Sequence, residues 1–592
     1  MLKHIVTNPG YRSIRRNHIP FPRRMSVLAG DTETVRGHAY SLQLHDGVQP
    51  HYVRVSDDSV LDEFLAWVEP RILSGHVAVM YFHNLEYDIS VILRKYHDKF
   101  LGRKRILISH RGWNIELVLS ATCFARFRKD KKSLLCLDSQ RFMNVSLSRF
   151  TEIIGAQSQK LERPLYIGER APRTNEEKEY FIRYALADVC AQYEVARWIV
   201  KQHERYNIRI SYSSAHFSER IFRHYHIQPH EQLWLPPEKW LEACILSYHG
   251  GKNGYYLDQK QGIYRLRDGA EIDISSAYPY AMTKLPNMVR CWYRETDRFD
   301  EKREGIYRVW GVVKNDKYPI LYSHDFKPIP HGERVEGLCV TSYELREALA
   351  RGEFVMRKCR GILAHTDERY AHNPLRDFVH EFYELKEKAK SPDERQLYKI
   401  ILNSLYGKFI QAIEIESEDD VALVDAGTGD IVRPAQKTYK AGSSYHPFIA
   451  SLITGFVRVY LHQLEHRFNA VHSSTDSVIF RWDDAYRGWI DRHKGLGGVE
   501  LKVRGTCYLI RNKVYVWTDN DDNILKWATH GITIDGAGLL NLIREKKNTY
   551  KVRRIAKVRE SLRRKDRDLT PLAMNEVEKK ILGVNLDRII DI

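Results

Sequence analysis

The chain has 592 residues, 43% of them hydrophobic and 29% charged, and its 93 Lys and Arg against 76 Asp and Glu leave a formal net charge of +17. That length exceeds one compact core and points to roughly three to five structural units, while the lack of any run of about twenty apolar residues argues against a membrane span. A cationic excess of this size draws polyanions, which makes nucleic acid the leading expected partner, ahead of a merely basic globular role.

Residues 1–225 read as an α/β unit. Its first 25 residues are basic without an apolar run, so they do not read as a secretory signal. Residues 26–30 are a strand-like run leading into Asp31-Thr32-Glu33; a second run, 77–82, ends at His83-Asn84, and a third, 134–137, ends at Asp138. Helical patterns at 61–68 and 176–200 accompany them, which predicts a mixed sheet with polar side chains at its strand ends. From about residue 226 the texture changes. Tyr248-His249-Gly250-Gly251 reads as a turn, with strands at 255–257 and 270–274. Residues 375–405 form a helical pattern broken at Ser391-Pro392, where the proline opens a second helix, so two antiparallel helices are expected with Lys386 on the first and Lys399 on the second. Residues 420–432 read as a hairpin turning at Ala426-Gly427-Thr428-Gly429. An amphipathic helix is expected at 448–468, a strand interrupted at 473–476 over 471–480, and a helical tail from about 530, strongly basic around 546–564. The eight cysteines lack CxxC or close Cys/His pairing, which argues against a disulfide framework or structural zinc and for a reducing, intracellular setting.

Three acidic motifs follow one another in the first unit: Asp31-x-Glu33, Asn84-x-x-Tyr87-Asp88 and Tyr184-x-x-x-Asp188. Each alone has an ordinary reading as a helix cap, a loop carboxylate or a solvated helix face. Together they specify a chemistry. Asp31 and Glu33, two apart on a strand, share a face, and Tyr184 stands one helical turn before Asp188. Four converging carboxylates repel one another unless cations bind between them. Two divalent metals about 4 Å apart would take them as ligands, one activating water and the other stabilising the leaving oxygen, and Mg²⁺ prefers such oxygen donors. The Tyr184 hydroxyl is suited to orient the attacking water. This is the arrangement of a metal-dependent 3′→5′ exonuclease.

The second half carries another set. Asp273-Ile274-Ser275-Ser276-Ala277-Tyr278-Pro279 follows an apolar strand and opens a helix; Lys399, Asn403 and Tyr406 fall on adjacent turns of one helix; Ser474-Thr475-Asp476-Ser477 has the place of a hairpin turn; and Lys513-Val514-Tyr515 reads as strand with both polar residues on one face. Nucleotidyl transfer needs two carboxylates holding two metals between the primer 3′-oxygen and the incoming triphosphate. Asp273 and Asp476 are the candidates, with the Ile274 carbonyl completing the shell. Lys386 and Lys399 would neutralise the triphosphate, Tyr278 would stack under the sugar and exclude a 2′-hydroxyl, and Asn403 with Tyr406 would contact the nascent base pair. Lys513 and Tyr515 would steady the primer backbone.

In this order the second set resembles the DxxSLYP, KxxxNSxYG, DTDS and KxY motifs of family-B DNA polymerases, with Asn403-Ser404-Leu405-Tyr406-Gly407-Lys408 the most specific match, and the first set resembles the DEDDy proofreading exonuclease. The resemblance implies an α/β and α+β multidomain protein, a ribonuclease-H-like exonuclease domain (1–225) followed by a palm, fingers and thumb right hand (226–592). It implies metal-ligand roles for Asp31, Glu33, Asp88 and Asp188, and a hold on the frayed single-stranded primer end by Thr34, Asn84 and Tyr87. Tyr248-His249-Gly250-Gly251 resembles the YxGG motif that joins the two domains, and Thr454-x-x-Val457-Arg458 resembles the Tx2(G/A)R motif for template contact, so Tyr248, Gly250, Gly251, Thr454 and Arg458 are expected at DNA. Compact size and two insertions resemble the protein-primed phage and linear-plasmid enzymes. That implies palm 226–290, first insertion 291–365, palm and fingers 366–409, second insertion hairpin 410–443, palm 444–529 and thumb 530–592. The expected enzyme takes dNTPs and template-primer DNA, carries two Mg²⁺ per site with Mn²⁺ able to substitute, and displaces strand from a terminal-protein primer. It would act as a monomer or a heterodimer with that protein inside an infected or plasmid-bearing cell.

The pattern departs from the family at one acidic position, where Ser474 precedes Thr475-Asp476 in place of aspartate. The missing carboxylate need not ligate the catalytic metals, but a less negative site would bind them more weakly or change metal preference. Lys160 is the candidate for the lysine that assists the exonuclease, although its neighbours depart from the family's pattern. An exonuclease whose polymerase half serves as a DNA-binding scaffold is the principal alternative, and Ser474 is its support. A basic DNA-packaging nucleoprotein gives no reason for isolated acids at strand ends. Initiation from a DNA primer or de novo also stays open.

Overall fold

The computed structural model describes residues 5–6, 13–100, 103–119, 123–158, 160–367, 369–415, 423–424, 431–433, 438–563, 570–581 and 588–592. The first unit is built on an eight-stranded mixed sheet in the order Pro50–Arg54, His38–His45, Met25–Val35, Val77–Phe82, Lys132–Asp138, Phe124–Lys129, Trp113–Val118 and Arg105–His110. Its three central strands, Met25–Val35, Val77–Phe82 and Lys132–Asp138, run parallel. They read as nearly continuous apolar runs because both faces are covered. Val27, Val79, Tyr81 and Leu137 pack with the long helix Asn175–Arg205, whereas Leu28, Ala78, Met80 and Phe82 pack with the helices Val60–Val68 and Leu85–Ile92.

The second unit centres on a sheet ordered Asn253–Tyr255, His472–Ser474, Ser477–Arg481, Ile263–Ile274, Val499–Arg511, Val514–Thr518, Ile524–Thr529, with Ile589–Asp591 added beside Ile263–Ile274. Ala270, Ile272 and Ile274 from one strand and Val478 and Phe480 from its neighbour join the core around the helix Pro447–Phe468. Two helices, Pro374–Lys388 and Pro392–Ser404, each open on a proline, as the break at Ser391 predicts. The second stops at Ser404, so Tyr406 begins a separate short 3₁₀ turn, Tyr406–Ile410, instead of continuing the helix of Lys399 and Asn403.

Residues 291–365 fold as a four-stranded antiparallel sheet in the order Trp292–Thr296, Phe354–His365, Gly305–Val313, Arg334–Thr341, with the helix Ser342–Ala350 following the last. Leu423–Val424 pairs antiparallel with Ile431–Arg433, as a hairpin over 420–432 requires, and its turn at 426–429 lies outside the described residues.

The expected helical tail is corrected. After the helix Gly536–Glu545 the chain forms an antiparallel pair, Thr549–Ile555 with Met574–Lys580, with the short helix Val558–Arg563 beyond the first strand. Tyr550 and Val552 are buried while Lys551 and Arg553 face water. The basic residues alternate with apolar ones at period two, which is strand spacing. Among the described residues no helix is long and apolar enough to cross a membrane, and all eight cysteines are free.

Close packing fixes how the 291–365 sheet meets the second unit. A Cβ at Gly455, inside the helix Pro447–Phe468, would stand 2.4 Å from Thr341 Oγ1, whereas one at Gly488, in the exposed helix Asp484–Arg492, would meet nothing within 4 Å. Gly455→Ala should therefore destabilise the fold by about 1–3 kcal/mol through overpacking. Gly488→Ala should be neutral or stabilising by up to about 1 kcal/mol. Thermal unfolding of the two variants checks the contrast, and equal effects would refute it.

Candidate active sites

Two acidic clefts are assembled by strand pairing. In the first unit, Asp31 and Glu33 project from Met25–Val35, Asp88 from the helix Leu85–Ile92 and Asp188 from Asn175–Arg205. Thr32 ties two of these elements together: its N–H and its hydroxyl donate to Asp88 Oδ1 at 3.0 and 2.8 Å. Burial and then the charges of Asp88, Glu33 and Asp188 hold Asp31 well above the usual carboxylate range. Burial, opposed by Arg163, pushes Glu33 up to about 7, and burial raises Asp88 and Asp188 as well. The Tyr184 hydroxyl bonds Glu33 and Asp188. Lys160 Nζ stands 3.1 Å from Asp188 Oδ2, while Asp188 Oδ1 is buried without a hydrogen-bond partner. Such a set, acidic, shielded from water and short of donors, fits oxygen-seeking divalent cations.

The residues expected at the primer end lie beside it. Asn84 is exposed in the left-handed region (φ 74°), held there by its N–H on Asp138 Oδ1 at 2.9 Å. The hydroxyls of Tyr87 and Thr34 meet at 2.7 Å. Thr34 also donates to the Leu572 carbonyl at 3.2 Å, so the C-terminal tail closes over this edge of the cleft.

In the second unit the strand Ile263–Ile274 pairs antiparallel with Ser477–Arg481, with Asp273 opposite Ser477, and Ile274 N–H donates to the Asp476 carbonyl at 2.7 Å. Asp273 and Asp476 thereby open into one cavity of about 510 Å³, whose lining includes Ile274, Tyr278, Lys386, Lys399, Asn403 and Tyr406. Burial and then Asp273 push Asp476 up to about 7, and burial, opposed by Lys502, raises Asp273. Tyr278 and Tyr406 stack with ring centroids 4.0 Å apart and planes within 1°. Lys399 is exposed into this space, whereas Lys386 is largely buried, 3.1 Å from Glu387 Oε1 and over the Tyr383 ring.

Gly251 lies directly under the Thr475–Asp476 turn. A Cβ there would come 2.6 Å from Thr475 Cγ2, and Thr475, at φ 59°, donates its N–H to the Lys252 carbonyl at 2.7 Å. The Tyr248–Gly251 segment therefore supports the turn that bears Asp476, with Gly250 exposed and Tyr248 half-buried.

Four expected DNA contacts are corrected by burial or backbone. Thr454 and Arg458 are 1% and 0% exposed. The Thr454 hydroxyl is spent on carbonyls of its own helix, and Arg458 donates to Glu344 Oε1 at 2.8 Å and to the His249 carbonyl at 2.7 Å. Neither can touch a template; Arg458 instead anchors the segment beneath Asp476. Tyr515 is buried in the sheet core, its hydroxyl 3.4 Å from Glu271 Oε1. Lys513 sits not in a strand but in the left-handed hairpin turn before Val514–Thr518, at φ 58° and half-exposed, so it does not share a strand face with Tyr515.

Sequence reading missed three charged residues of the cavity: Arg395, Glu500 and Lys502. Lys502 Nζ lies 2.6 Å from Glu500 Oε2 and 3.6 Å from Asp273 Oδ2. Their signal was present. Arg395 stands one helical turn before Lys399, and Glu500-Leu501-Lys502 places two charges on one face of a strand.

Residues 156–427 match the family model described as DNA polymerase type B, organellar and viral. The DNA polymerase of Streptococcus phage Cp-1 is 29% identical over 500 residues, spanning 79% of this chain and 81% of that protein. Phi29 DNA polymerase complexed with primer-template DNA and incoming nucleotide substrates has a TM-score of 0.62 at 16% identity, covering 95% of this chain and 99% of that one. Its complex with single-stranded DNA gives 0.64 at 16% identity over 93% and 99%. The likeness at this identity is one of fold, and it bears out the expected multidomain α/β and α+β architecture. The sequence is thus similar to the organellar and viral type B DNA polymerases over residues 156–427, and the fold is similar to that of phi29 DNA polymerase over nearly the whole chain.

Proposed function

We propose that this protein is a DNA-directed DNA polymerase with a 3′→5′ proofreading exonuclease, protein-primed and strand-displacing, which replicates a linear viral or plasmid genome inside its host cell. The observation that carries the reading is the shared cavity of Asp273 and Asp476, walled by Lys399 and the stacked Tyr278 and Tyr406. Its volume, about 510 Å³, suits one nucleotide.

The donors fit Mg²⁺ at both clefts, or Mn²⁺ in its place. Asp273, Asp476 and the Ile274 carbonyl would hold it in one, and Asp31, Glu33, Asp88 and Asp188 in the other. Bound there, the ions supply an activated oxygen nucleophile and charge neutralisation at phosphorus. The chain's own residues do the rest. Lys399, Lys386 and Arg395 draw the triphosphate toward the fingers helices. Tyr278 supports the sugar and leaves no room for a 2′-hydroxyl, and Asn403 and Tyr406 bear on the nascent pair. Lys502 compensates Asp273. In the exonuclease cleft, Tyr184 and Lys160 orient water beside Asp188, while Asn84, Tyr87 and Thr34 receive an unpaired 3′ end. Residues 1–225 serve as exonuclease domain and 226–592 as the right hand. The sheet at 291–365 and the strands within 410–443 are the insertions proposed to meet a terminal protein and to surround DNA.

Primer extension and single-strand degradation should separate cleanly. Asp273→Ala or Asp476→Ala should abolish synthesis and spare degradation, and Asp31→Ala should do the reverse. Loss of both activities from any one of these in a folded protein would defeat the two-site reading. Protein priming predicts that a labelled dNTP becomes covalently attached to the cognate terminal protein; free labelled oligonucleotide alone would point to DNA priming or de novo initiation.

The raised carboxyls give a pH signature. Asp476 and Glu33 sit at about 7, against roughly 4 for an unfolded carboxyl. Between those values the folded chain holds protons the unfolded chain has released. Stability without divalent metal therefore falls as pH rises through this window, and the penalty is complete above about 7. The rise in Tm on adding MgCl₂ should be small near pH 6 and larger near pH 8, roughly. Asp31→Asn should raise the metal-free Tm at the higher pH. A Mg²⁺ effect independent of pH would count against cation binding at these acids.

A further inference from the structure

Away from both clefts, two histidines one helical turn apart face two carboxylates of the 291–365 insertion. His462 and His466 lie on the helix Pro447–Phe468. Glu353 immediately precedes the strand Phe354–His365, and Asp316 lies in the connection after Gly305–Val313. One ligand atom from each of the four falls within 4.8 Å of all the others. His462 Nε2 is 3.2 Å from Glu353 Oε1, and His466 Nε2 is 3.6 Å from Asp316 Oδ2 and 3.9 Å from Glu353 Oε1. Donors about 2.0–2.1 Å from a tetrahedral zinc stand roughly 3.3–3.4 Å apart from one another. The set has the spacing of ligands around one centre.

An ordinary ion-pair network accounts for these groups poorly. The His462 and Glu353 side chains are 0% and 4% exposed. Yet Nε2 of His462, Nε2 of His466 and both Glu353 oxygens, though within ion-pair reach of one another, make no well-formed hydrogen bond, and Nδ1 of His462 makes none either. Each buried polar group left so costs about 1–3 kcal/mol, and a single cation among them would satisfy the two Nε2 atoms and both Glu353 oxygens. The other ring nitrogen of His462 faces Glu347 Oε1 at 3.5 Å, and Glu347 is itself held by Arg351 and by Gln463 Nε2 at 2.8 Å. A carboxylate behind the ring is what fixes an imidazole with Nε2 toward a metal. Two carboxylates and two neutral imidazoles sum to the complement of a dication, and the nearby Lys252 is already paired with Glu465. Asp316 and His466, at 48% and 21% exposure, form a rim through which an ion can enter.

We propose that Asp316, Glu353, His462 and His466 bind a structural zinc-type ion that pins the first insertion to the helix Pro447–Phe468. Two imidazoles with two carboxylates favour Zn²⁺ over Mg²⁺, which takes oxygen donors and keeps its waters. The expectation that structural zinc is absent rested on cysteine spacing, and this donor set needs no thiolate. Arg458, one turn before His462, grips the loop under Asp476. The ion would therefore brace the helix that positions the polymerase cleft without entering its chemistry.

The test uses the full chain, stripped of metal and then given Zn²⁺ alone or Co²⁺ alone, each followed by excess Mg²⁺ to compete at the carboxylate clefts. Elemental analysis should find one retained Zn²⁺ per chain, and Co²⁺ should give the visible absorption of a tetrahedral site. His466→Gln, at the rim, and His462→Gln should each lose both signals, whereas the double variant Asp31→Ala/Asp476→Ala should keep them. Glu347→Gln should weaken Zn²⁺ affinity about 10–100-fold without abolishing it. Zn²⁺ should raise the Tm of the wild type but not of His466→Gln. A wild-type chain that retains no zinc, or a folded His466→Gln that retains it in full, overturns the proposal.

Discussion

Like charges held together away from water are the constraint around which both clefts are built. Burial and then Asp273 raise the proton affinity of Asp476, and burial and then Asp88, Glu33 and Asp188 raise that of Asp31. Their mutual repulsion would spread any flexible arrangement. The backbone resists it: Asp273 lies in a strand and Asp476 in the turn before its partner strand, the two tied by the Ile274 amide donating to the Asp476 carbonyl, and Asp88 is clasped by Thr32. Lys502 and Lys160 each reach one carboxylate of their cleft, which offsets part of the charge and leaves the rest for bound cations. The strain sits in side chains while ladder hydrogen bonds keep the geometry, and this is how a site can stay assembled without its ions.

The same economy of backbone support runs outward from Asp476. Its turn rests on Gly251, the Tyr248–Gly251 segment is gripped by Arg458, and Arg458 pairs with Glu344. Glu344 also closes the capping box of Thr341 at the start of the helix Ser342–Ala350. A buried ion pair of this kind is weak evidence for stability, because desolvation offsets much of the attraction. Its value here is geometric, since it joins the 291–365 sheet region, the helix Pro447–Phe468 and the loop beneath a candidate catalytic turn at one fully buried guanidinium.

Much of this was legible in the sequence, and the reasons for success and failure are physical. The strands bearing Asp31 and Asp273 announce themselves as apolar runs ending in an acid, and Pro392 marks the break between the helices Pro374–Lys388 and Pro392–Ser404. Local pattern could not show burial set by distant partners. Arg458 reads as a surface cation until Glu344, 114 residues away in the chain, neutralises it. Tyr515 sits two residues beyond a turn residue, and only the hairpin geometry turns it inward. The alternating basic run 549–555 resembles a charged helix by composition, but its buried Tyr550 and Val552 obey the period of a strand. The cluster at His462 is spread over three separate segments, with a single i, i+4 histidine pair as its only local trace.

The C-terminal segment shows why the two halves should be read as one machine. Val558 and Leu572 complete the apolar core of the first unit, Lys557 reaches Glu86 at 2.8 Å, and Arg553 reaches Glu169 at 3.2 Å. Leu572 further accepts the Thr34 hydroxyl at the edge of the acidic cleft. The ion pairs are exposed enough for salt to screen them, so the apolar contacts carry most of the docking. A C-terminal segment held this way meets the first unit at the very edge where an unpaired 3′ end is proposed to enter. On the proposed reading, the strand passing between the clefts is confined by the chain's last residues as much as by its catalytic ones.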